Sequence, residues 1–436
     1  MNLKYLARVF TFGLVMASCT SSATAPTQTP VPSTTASSPA SPRPAVQVAA
    51  RFDAATRRWY LVPDPRFPLG ATVLVAFDAD PTGTQPSVRL RPTGADVPLS
   101  PAGRATVWGA ALDLHGAAPG AYAIEVIERL AGGDMVVATK DIVISAPEYV
   151  VWTLDFEGDA SSDDALANTA AIADEHNVPM TVMWNPRVWT TSQVSPARAE
   201  AMLAWTKDRA ARGDEVSLHL HMWTDFVRAA GIVPRTAPSW AGRGDGYDVP
   251  ITAYSESDTR TLLDFSLRLM ADHGLQRPTT FRAGGQFAND ATLRALVSAD
   301  FVADASAVPA GAFGRLPYPW TLAADAQPYR PSASDANAAG DLPLVEAPTI
   351  GGNTFGYDAR TIQPIIRADL SFVAPPGEIA MERRAITLVS HPGTITATER
   401  AAIEALFQAF EPVRYDRDAG PVRFVTLAQL AKAYGR

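Results

Sequence analysis

The sequence contains very little cysteine, and this limits the chemistry open to the chain. Cys19 is the only cysteine among 436 residues, so neither an intramolecular disulfide nor a thiolate cluster for a metal is available. Basic residues are also scarce, since 37 Lys and Arg face 45 Asp and Glu and give a formal net charge of -8. This balance argues against nucleic acid or an anionic membrane surface as a partner. Apolar residues, by contrast, make up 47% of the chain, enough for sizeable cores in two domains.

The single cysteine lies at the end of a targeting pattern. Lys4 and Arg8 precede an apolar run over residues 9–17, and the run closes with "MASC". It is too short to span a bilayer, which takes roughly twenty residues. The pattern resembles a bacterial lipoprotein signal peptide, in which residues 1–18 are removed and Cys19 becomes the lipid-modified N-terminus. An ordinary secretory signal is the alternative. Both predict export, and the first also predicts a lipid anchor at the cell envelope.

Two segments of different character follow the cysteine. Residues 19–44 are rich in Pro, Ser and Thr without an apolar face, which predicts an extended tether. Residues 45–146 hold short alternating runs such as "TVLVAF" and "YAIEVIERL", separated by Pro, Gly and Asp. We therefore expect a small immunoglobulin-like β-sandwich, serving as a carbohydrate-binding module or as a spacer.

Residues 147–436 alternate between strand and helix patterns. Buried-strand runs such as "YVVWTLDFE" and "AITLVSH" are separated by helices with clear start signals: Ser195 followed by Pro196, a capping box from Ser255, Asn289, and a second capping box from Thr396 to Glu399. Such repeats predict an α/β fold with a parallel sheet, and the length suits a (β/α) barrel.

Two carboxylates share one face at the end of the first strand of this barrel. In "YVVWTLDFEGD" the residues Asp155 and Glu157 have the same parity, opposite to the apolar residues between them. In parallel α/β folds this end of the strands carries the active site. An acidic helix entry is the alternative. It explains Asp163 and Asp164 better than it explains the pair on the strand.

Two histidines share one face of the third strand. In "EVSLHLHMW" the apolar residues occupy one parity, and His219 and His221 occupy the other. Two imidazoles and a carboxylate, with one position open, are typical of a catalytic metal site. The alternative is a hydrogen-bonded polar face. Further along, Arg282 precedes Ala-Gly-Gly, and His391 ends a strand, where it could act as a general acid or base.

Four of these segments together resemble one known family. "TLDFEGD", "GDEVSLHLHMW", "FRAGGQFANDATLRAL" with "ADFVADAS", and "LVSHPG" are similar to the successive motifs of the polysaccharide deacetylases, the chitooligosaccharide-deacetylase-like carbohydrate esterases. They stand in the family's order across residues 147–436. The resemblance implies an incomplete (β/α) barrel and a divalent metal, commonly zinc, that polarises an acetyl carbonyl and activates water.

The resemblance also implies a role for each matching residue. Asp155 matches the catalytic base, Arg282 the arginine that orients it, and His391 the acid that protonates the leaving amine. Glu157 and His219 match metal ligands. The family usually has Asp in place of Glu157. Its second histidine comes four residues after the first, where this chain has Trp223. His221 would then complete the site, or Asp225 or a water would.

The substrate predicted in this way is an acetylated polysaccharide or oligosaccharide, N-acetylated or O-acetylated, with N-acetyl groups favoured. Trp184, Trp223 and Trp320 could stack on sugar rings, and each could equally be core packing. A second hypothesis is a non-catalytic surface lipoprotein that binds glycan. A third makes Asp155 and Glu157 a glycosidase pair, but such pairs face each other across the scissile bond, which neighbours on one strand fit poorly.

Overall fold

Short alternating runs in the N-terminal part form two sheets. The computed structural model describes residues 46–92, 94–104, 106–311 and 319–435, so the predicted signal peptide, the tether and Cys19 lie outside the described residues. The strands are β1 Ala50–Phe52, β2 Trp59–Leu61, β3 Thr72–Phe77, β4 Ser87–Arg91, β5 Asp96–Pro98, β6 Ser100–Arg104, β7 Val107–Ala111, β8 Gly120–Leu130 and β9 Gly133–Ser145. One sheet has the order β1-β3-β7-β6 and the other β2-β9-β8-β4-β5, and all pairs except β2 with β9 are antiparallel.

The two sheets share one hydrophobic core. Val75 of the first sheet and Ile124 and Ile142 of the second belong to the same buried cluster, because each strand turns alternate apolar side chains inward. Each run that was predicted as a strand in this part forms a strand in the structure. The immunoglobulin-like assignment stays a prediction.

A parallel sheet follows within two residues of β9. Its strands are β10 Glu148–Asp155, β11 Met180–Trp184, β12 Glu215–Leu220, β13 Thr280–Ala283, β14 Ala303–Asp304, β17 Val345–Glu346, β18 Asn353–Thr354, β19 Arg384–Ser390 and β20 Val422–Val425; a separate hairpin joins β15 Pro331–Ser332 and β16 Asp335–Ala339. The order is β17-β14-β13-β12-β11-β10-β19-β18, with β20 beside the first half of β10. All pairs are parallel, and the edge strands β17 and β18 are not paired with each other in the described residues. The fold is therefore an incomplete (β/α) barrel, as predicted.

Helices cover the outside of this sheet. They are α1 Asp163–His176, α2 Pro196–Ala211, α3 Thr224–Ala229, α4 Glu256–Asp272, α5 Asp290–Ser298, α6 Gln363–Ser371, α7 Ala397–Ala409 and α8 Leu427–Tyr434. Trp152 and Leu154 of β10 belong to the buried cluster on this side, and the Trp152 ring meets Phe407 of α7 edge to face at 5.0 Å. Asp155 has the opposite parity and therefore faces the inside of the barrel. No helix among the described residues is long and apolar enough to cross a bilayer.

The predicted helix starts are present, with one difference. Ser195, Ser255, Asn289 and Thr396 each accept a main-chain hydrogen bond as N-caps. The box at Ser255 is complete, but that at Thr396 is not. Glu399 is buried, and its Oε1 accepts from the amide of Gly356 at 2.7 Å instead of returning to the cap. This carboxylate therefore fixes the loop after β18, which borders the candidate site.

Candidate active site

The carboxyl ends of the parallel strands bring the predicted site residues to one edge of the sheet. Asp155 ends β10, and His219 on β12 is in register with Arg282 on β13. His221 follows β12 directly, and His391 follows β19 directly. The sequence predicts β12 through Trp223, but the strand ends at Leu220. The chain then turns into α3, and His221 still points toward the same edge as His219.

Glu157, His219 and His221 form a candidate metal site. One ligand atom from each lies within 4.8 Å of the other two. The Nδ1 of His219 contacts the main-chain oxygen of Arg282 at 3.0 Å, while its Nε2 is buried without a hydrogen-bond partner. A buried nitrogen left unpaired is costly, and a cation would satisfy it. Two imidazoles and a carboxylate are also the donor set of catalytic zinc sites, so the residues fit a divalent metal.

Main-chain oxygens orient both histidines so that Nε2 of each faces the candidate metal site. Nδ1 of His221 lies 2.7 Å from the main-chain oxygen of Tyr247, as Nδ1 of His219 lies on that of Arg282. A carbonyl oxygen only accepts, so each Nδ1 carries a proton. The neutral His219 therefore presents a lone pair at Nε2, whereas Nε2 of His221 donates its proton to the Glu157 carboxylate 2.6 Å away, a proton that a bound cation would displace. Burial lowers the pKa of His219 to about 4, which keeps this imidazole neutral near pH 7. Burial alone would lower the pKa of His221, but the neighbouring Glu157 carboxylate outweighs this effect, so the pKa of His221 is raised.

Glu157 connects the three polar groups around it. Its Oε2 lies 2.6 Å from Nε2 of His221 and accepts from the hydroxyl of Tyr247 at 2.6 Å, and its Oε1 lies 3.3 Å from Nε2 of His391. Burial raises the pKa of this carboxyl, but the charge and hydrogen bond of His221 more than offset it, so the pKa is lowered. Glu157 is therefore an anionic oxygen donor at neutral pH.

Asp155 is paired with Arg282 inside the barrel. Oδ1 of Asp155 accepts from Nη1 of Arg282 at 2.8 Å, and both side chains are almost completely buried. The guanidinium is fixed by three further contacts, to Thr153 Oγ1, Ala305 O and Thr349 Oγ1. Burial raises the pKa of Asp155, but the charge of Arg282 leads a group of neighbours that brings it below its usual value. Asp155 is thus ionised and held in place, as a general base must be.

His391 lies on the other side of Glu157. Its ring is buried, its Nδ1 is 3.5 Å from the main-chain oxygen of Thr354, and its Nε2 points into the site. The ring of Phe355 meets it edge to face at 4.8 Å and is itself 61% exposed. An imidazole with one nitrogen toward the site can deliver a proton there.

Trp223 occupies the position where the family has a histidine, but its indole packs against the candidate metal site. Its Nε1 donates to the main-chain oxygen of Glu157 at 2.8 Å, and the guanidinium of Arg187 lies 3.6 Å over its ring. Asp225, the other residue considered for the vacant ligand position, is instead paired with Arg187 at 2.8 Å. Among the residues considered, His221 alone joins Glu157 and His219.

The tryptophans predicted to stack on sugar are buried. Trp184, Trp320 and Trp223 are 0%, 2% and 4% exposed. Trp184 packs on Phe156 at 5.3 Å, and Nε1 of Trp320 donates to Gln286 O. Covered rings offer no face to a ligand, so the structure favours core packing, the alternative stated above, for all three.

Two residues that the sequence analysis did not single out also contribute. Tyr247 contacts both Glu157 and His221, and Phe355 is the exposed aromatic beside His391. The glycines after Arg282 have a steric role, because a Cβ on Gly284 would lie 2.4 Å from His221 Nδ1. Only a slight sequence pattern marks Tyr247 and Phe355, because a glycine lies next to each of these aromatic residues in "RGDGYD" and "GGNTFGY".

No family model matches the chain, and no curated protein matches it. Among solved structures, a Mycobacterium smegmatis protein assigned as a polysaccharide deacetylase is 17% identical with a TM-score of 0.41, covering 66% of this chain and 90% of its own. A family 4 acetyl xylan esterase from Clostridium thermocellum, in complex with a cobalt ion, is 13% identical with a TM-score of 0.34, covering 65% and 89%. The peptidoglycan deacetylase of Bacillus subtilis is 12% identical with a TM-score of 0.32, covering 65% and 90%.

These structures carry the names of the family that the sequence motifs resemble. Similarity at this level assigns no activity to the chain.

Proposed function

We propose that this protein is a metal-dependent hydrolase that removes acetyl groups from a glycan, N-acetyl groups in preference to O-acetyl groups. The observation that carries the proposal is the convergence of three kinds of group at one edge of the sheet. They are the donor set Glu157, His219 and His221, the ionised Asp155 held by Arg282, and the imidazole of His391. Base, cation site and acid are the parts that amide hydrolysis requires.

Each residue then has a defined task. Asp155 accepts the proton of the attacking water, and Arg282 keeps this carboxylate ionised and aimed into the barrel. The new carbon–oxygen bond forms first by addition of water to the acetyl carbonyl, and the carbon–nitrogen bond of the acetamide then breaks. His391 gives a proton to the departing nitrogen, so that a free amine and acetate leave. A divalent cation held by Glu157, His219 and His221 would supply polarisation of the acetyl carbonyl and activation of water.

Phe355 is the side chain best placed to hold a sugar ring. It is 61% exposed beside the buried His391, and its backbone is fixed because Glu399 binds the amide of Gly356. A rigid exposed aromatic suits the apolar face of a pyranose. We therefore assign Phe355, in place of the three buried tryptophans, to substrate stacking.

Acetate release tests the proposal. Purified protein is incubated with N-acetylated chitooligosaccharides and with O-acetylated xylooligosaccharides, with and without a chelator. We expect release that the chelator stops and that added Zn²⁺ restores, faster on the N-acetylated substrates. Binding of these glycans without any acetate release would instead support the non-catalytic glycan-binding lipoprotein.

We further propose that the protein works outside the cytoplasm, attached to the cell envelope by lipid at Cys19. The support is the sequence pattern of residues 1–19. Fractionation of cells that express the full chain tests it. The wild type should label with a radioactive fatty acid and sediment with membranes, and Cys19→Ala should lose the label. Equal labelling of both forms would overturn this part of the proposal.

A further inference from the structure

Tyr247 contacts two of the three proposed metal ligands. Its hydroxyl donates to Glu157 Oε2 at 2.6 Å, and its main-chain oxygen accepts from His221 Nδ1 at 2.7 Å. Its ring also stacks on that of His221, with centroids 4.2 Å apart and planes 9° from parallel. We propose that Tyr247 is a positioning residue that makes His221 a metal ligand in place of the histidine that Trp223 replaces. This inference rests on the metal site of the proposed function.

The Tyr247 hydroxyl restricts the side-chain conformation of Glu157. Glu157 has one more rotatable bond than the aspartate usual in the family, and holding it in one conformation costs side-chain entropy. The Tyr247 hydroxyl fixes Oε2 from one side, while the Trp223 indole fixes the main-chain oxygen of the same residue. The carboxylate is therefore already oriented before a cation arrives.

The main-chain oxygen and the ring of Tyr247 orient the imidazole of His221. This residue follows β12 after the regular strand has ended, so the sheet alone does not determine how its ring lies. The Tyr247 carbonyl accepts a hydrogen bond from Nδ1, and the Tyr247 ring covers one face of the imidazole. Outer groups that orient a ligating histidine in this way raise metal affinity in other proteins.

The segment around Tyr247 is itself fixed. The amide of Thr224 donates to Asp245 O at 2.6 Å, and the amide of Tyr247 donates to Asp245 Oδ1 at 3.0 Å. Between them, Gly246 has a φ of +82°, and a Cβ there would lie 2.4 Å from Met222 O. Only glycine permits this approach of the segment to the end of β12. The position of Tyr247 thus follows from the fold and does not require a bound ligand.

A Tyr247→Phe variant isolates the hydroxyl, because phenylalanine keeps both the stacked ring and the main-chain oxygen. Tyr254→Phe is the matched control. Tyr254 belongs to the same segment between α3 and α4, and its hydroxyl accepts from the amide of Arg235 at 2.8 Å without contacting the site. Thermal unfolding of the metal-free forms checks that both variants fold.

The experiment measures Zn²⁺ affinity by competition with a chromophoric chelator. We expect the Kd of Tyr247→Phe to rise roughly 10- to 100-fold, the effect of losing an outer hydrogen bond to a ligand, and that of Tyr254→Phe to stay within about twofold of wild type. A Tyr247→Phe Kd within about twofold of wild type would overturn the inference. So would a wild type that binds no Zn²⁺, which also removes the metal-dependent function. Tyr247-dependent Zn²⁺ binding without acetate release would leave the inference standing and overturn only the activity.

Discussion

The indole nitrogen of Trp223 donates a hydrogen bond to the main-chain oxygen of Glu157 at 2.8 Å. The residue that stands where a metal ligand was expected therefore supports a proposed ligand in the segment just after β10. The guanidinium of Arg187 lies 3.6 Å over its ring, and the ring of Tyr247 meets it edge to face with centroids 4.7 Å apart. With His221 taking the second imidazole position, the replacement changes how the site is built but keeps its donor set.

Replacing Trp223 tests this supporting role. Trp223→Phe removes the donor and leaves the Glu157 carbonyl unsatisfied, which should destabilise the protein by about 1–3 kcal/mol and weaken Zn²⁺ binding roughly tenfold. Trp184→Phe is the control, because Nε1 of Trp184 is buried without a partner and its loss breaks no hydrogen bond. Chemical denaturation and Zn²⁺ titration measure the two effects. Equal Zn²⁺ affinity in the two variants would contradict the supporting role.

Substitution of Asp155, at the end of β10, and of Glu157, just after it, should have different effects. Asp155→Asn removes the base, so the rate should fall roughly 100- to 10,000-fold while Zn²⁺ affinity stays close to wild type. Glu157→Gln removes the anionic ligand, so Zn²⁺ affinity itself should fall. Acetate release and Zn²⁺ titration on both variants make the comparison. Full activity in Asp155→Asn would show that another group is the base.

Arg282 should determine the pH range of activity. In the wild type its charge helps bring the pKa of Asp155 below its usual value, so the base stays ionised as the solution becomes acidic. In Arg282→Met only burial and weaker neighbours act, and burial raises a carboxyl pKa. The acid limb of the profile of kcat/KM against pH should therefore move to higher pH, with activity partly recovered above pH 8. An acid limb at the wild-type position would contradict this role.

Phe355 should affect binding more than chemistry. Phe355→Ala removes the exposed ring beside His391, so KM should rise roughly 5- to 30-fold, the equivalent of about 1–2 kcal/mol, with kcat little changed. Met381→Ala is the control, since Met381 is a similarly exposed apolar side chain, at 66%, and precedes the first residue of β19, whereas the site lies at the carboxyl ends of the strands. Steady-state kinetics on an N-acetylated oligosaccharide separates the two. Identical KM values would remove Phe355 from the substrate site.

Strand parity predicted the direction of the site residues that lie on strands. A pleated strand sends alternate residues to one face, so the inward direction of Asp155 and His219 could be predicted from local sequence, whereas Glu157 and His221 lie just beyond the ends of β10 and β12, where strand parity no longer applies. The parallel connections then bring the ends of distant strands to one edge, which the strand–helix alternation also indicated. These two rules involve only neighbouring residues and connection order, and both are legible in a single sequence.

Tyr247 and Phe355 could not be predicted in the same way. Tyr247 follows His221 by 26 residues, in a segment without helix or strand periodicity, and its place depends on contacts with Asp245 and Met222. Phe355 follows β18, a strand of two residues, too short to give a pattern. The burial of Trp184 could not be predicted either, because an aromatic residue at the end of a strand has the same sequence pattern in a core and at a sugar-binding site. The surroundings of these three aromatic side chains depend on tertiary packing, which local sequence patterns do not specify.

The most direct test of the central claim is acetate release from an N-acetylated chitooligosaccharide by protein stripped of metal and then titrated with Zn²⁺. We expect no release from the stripped protein, a rise that saturates near one equivalent of Zn²⁺, and no rise in His219→Ala. Release that is independent of metal, or no release from the saturated wild type, would contradict it.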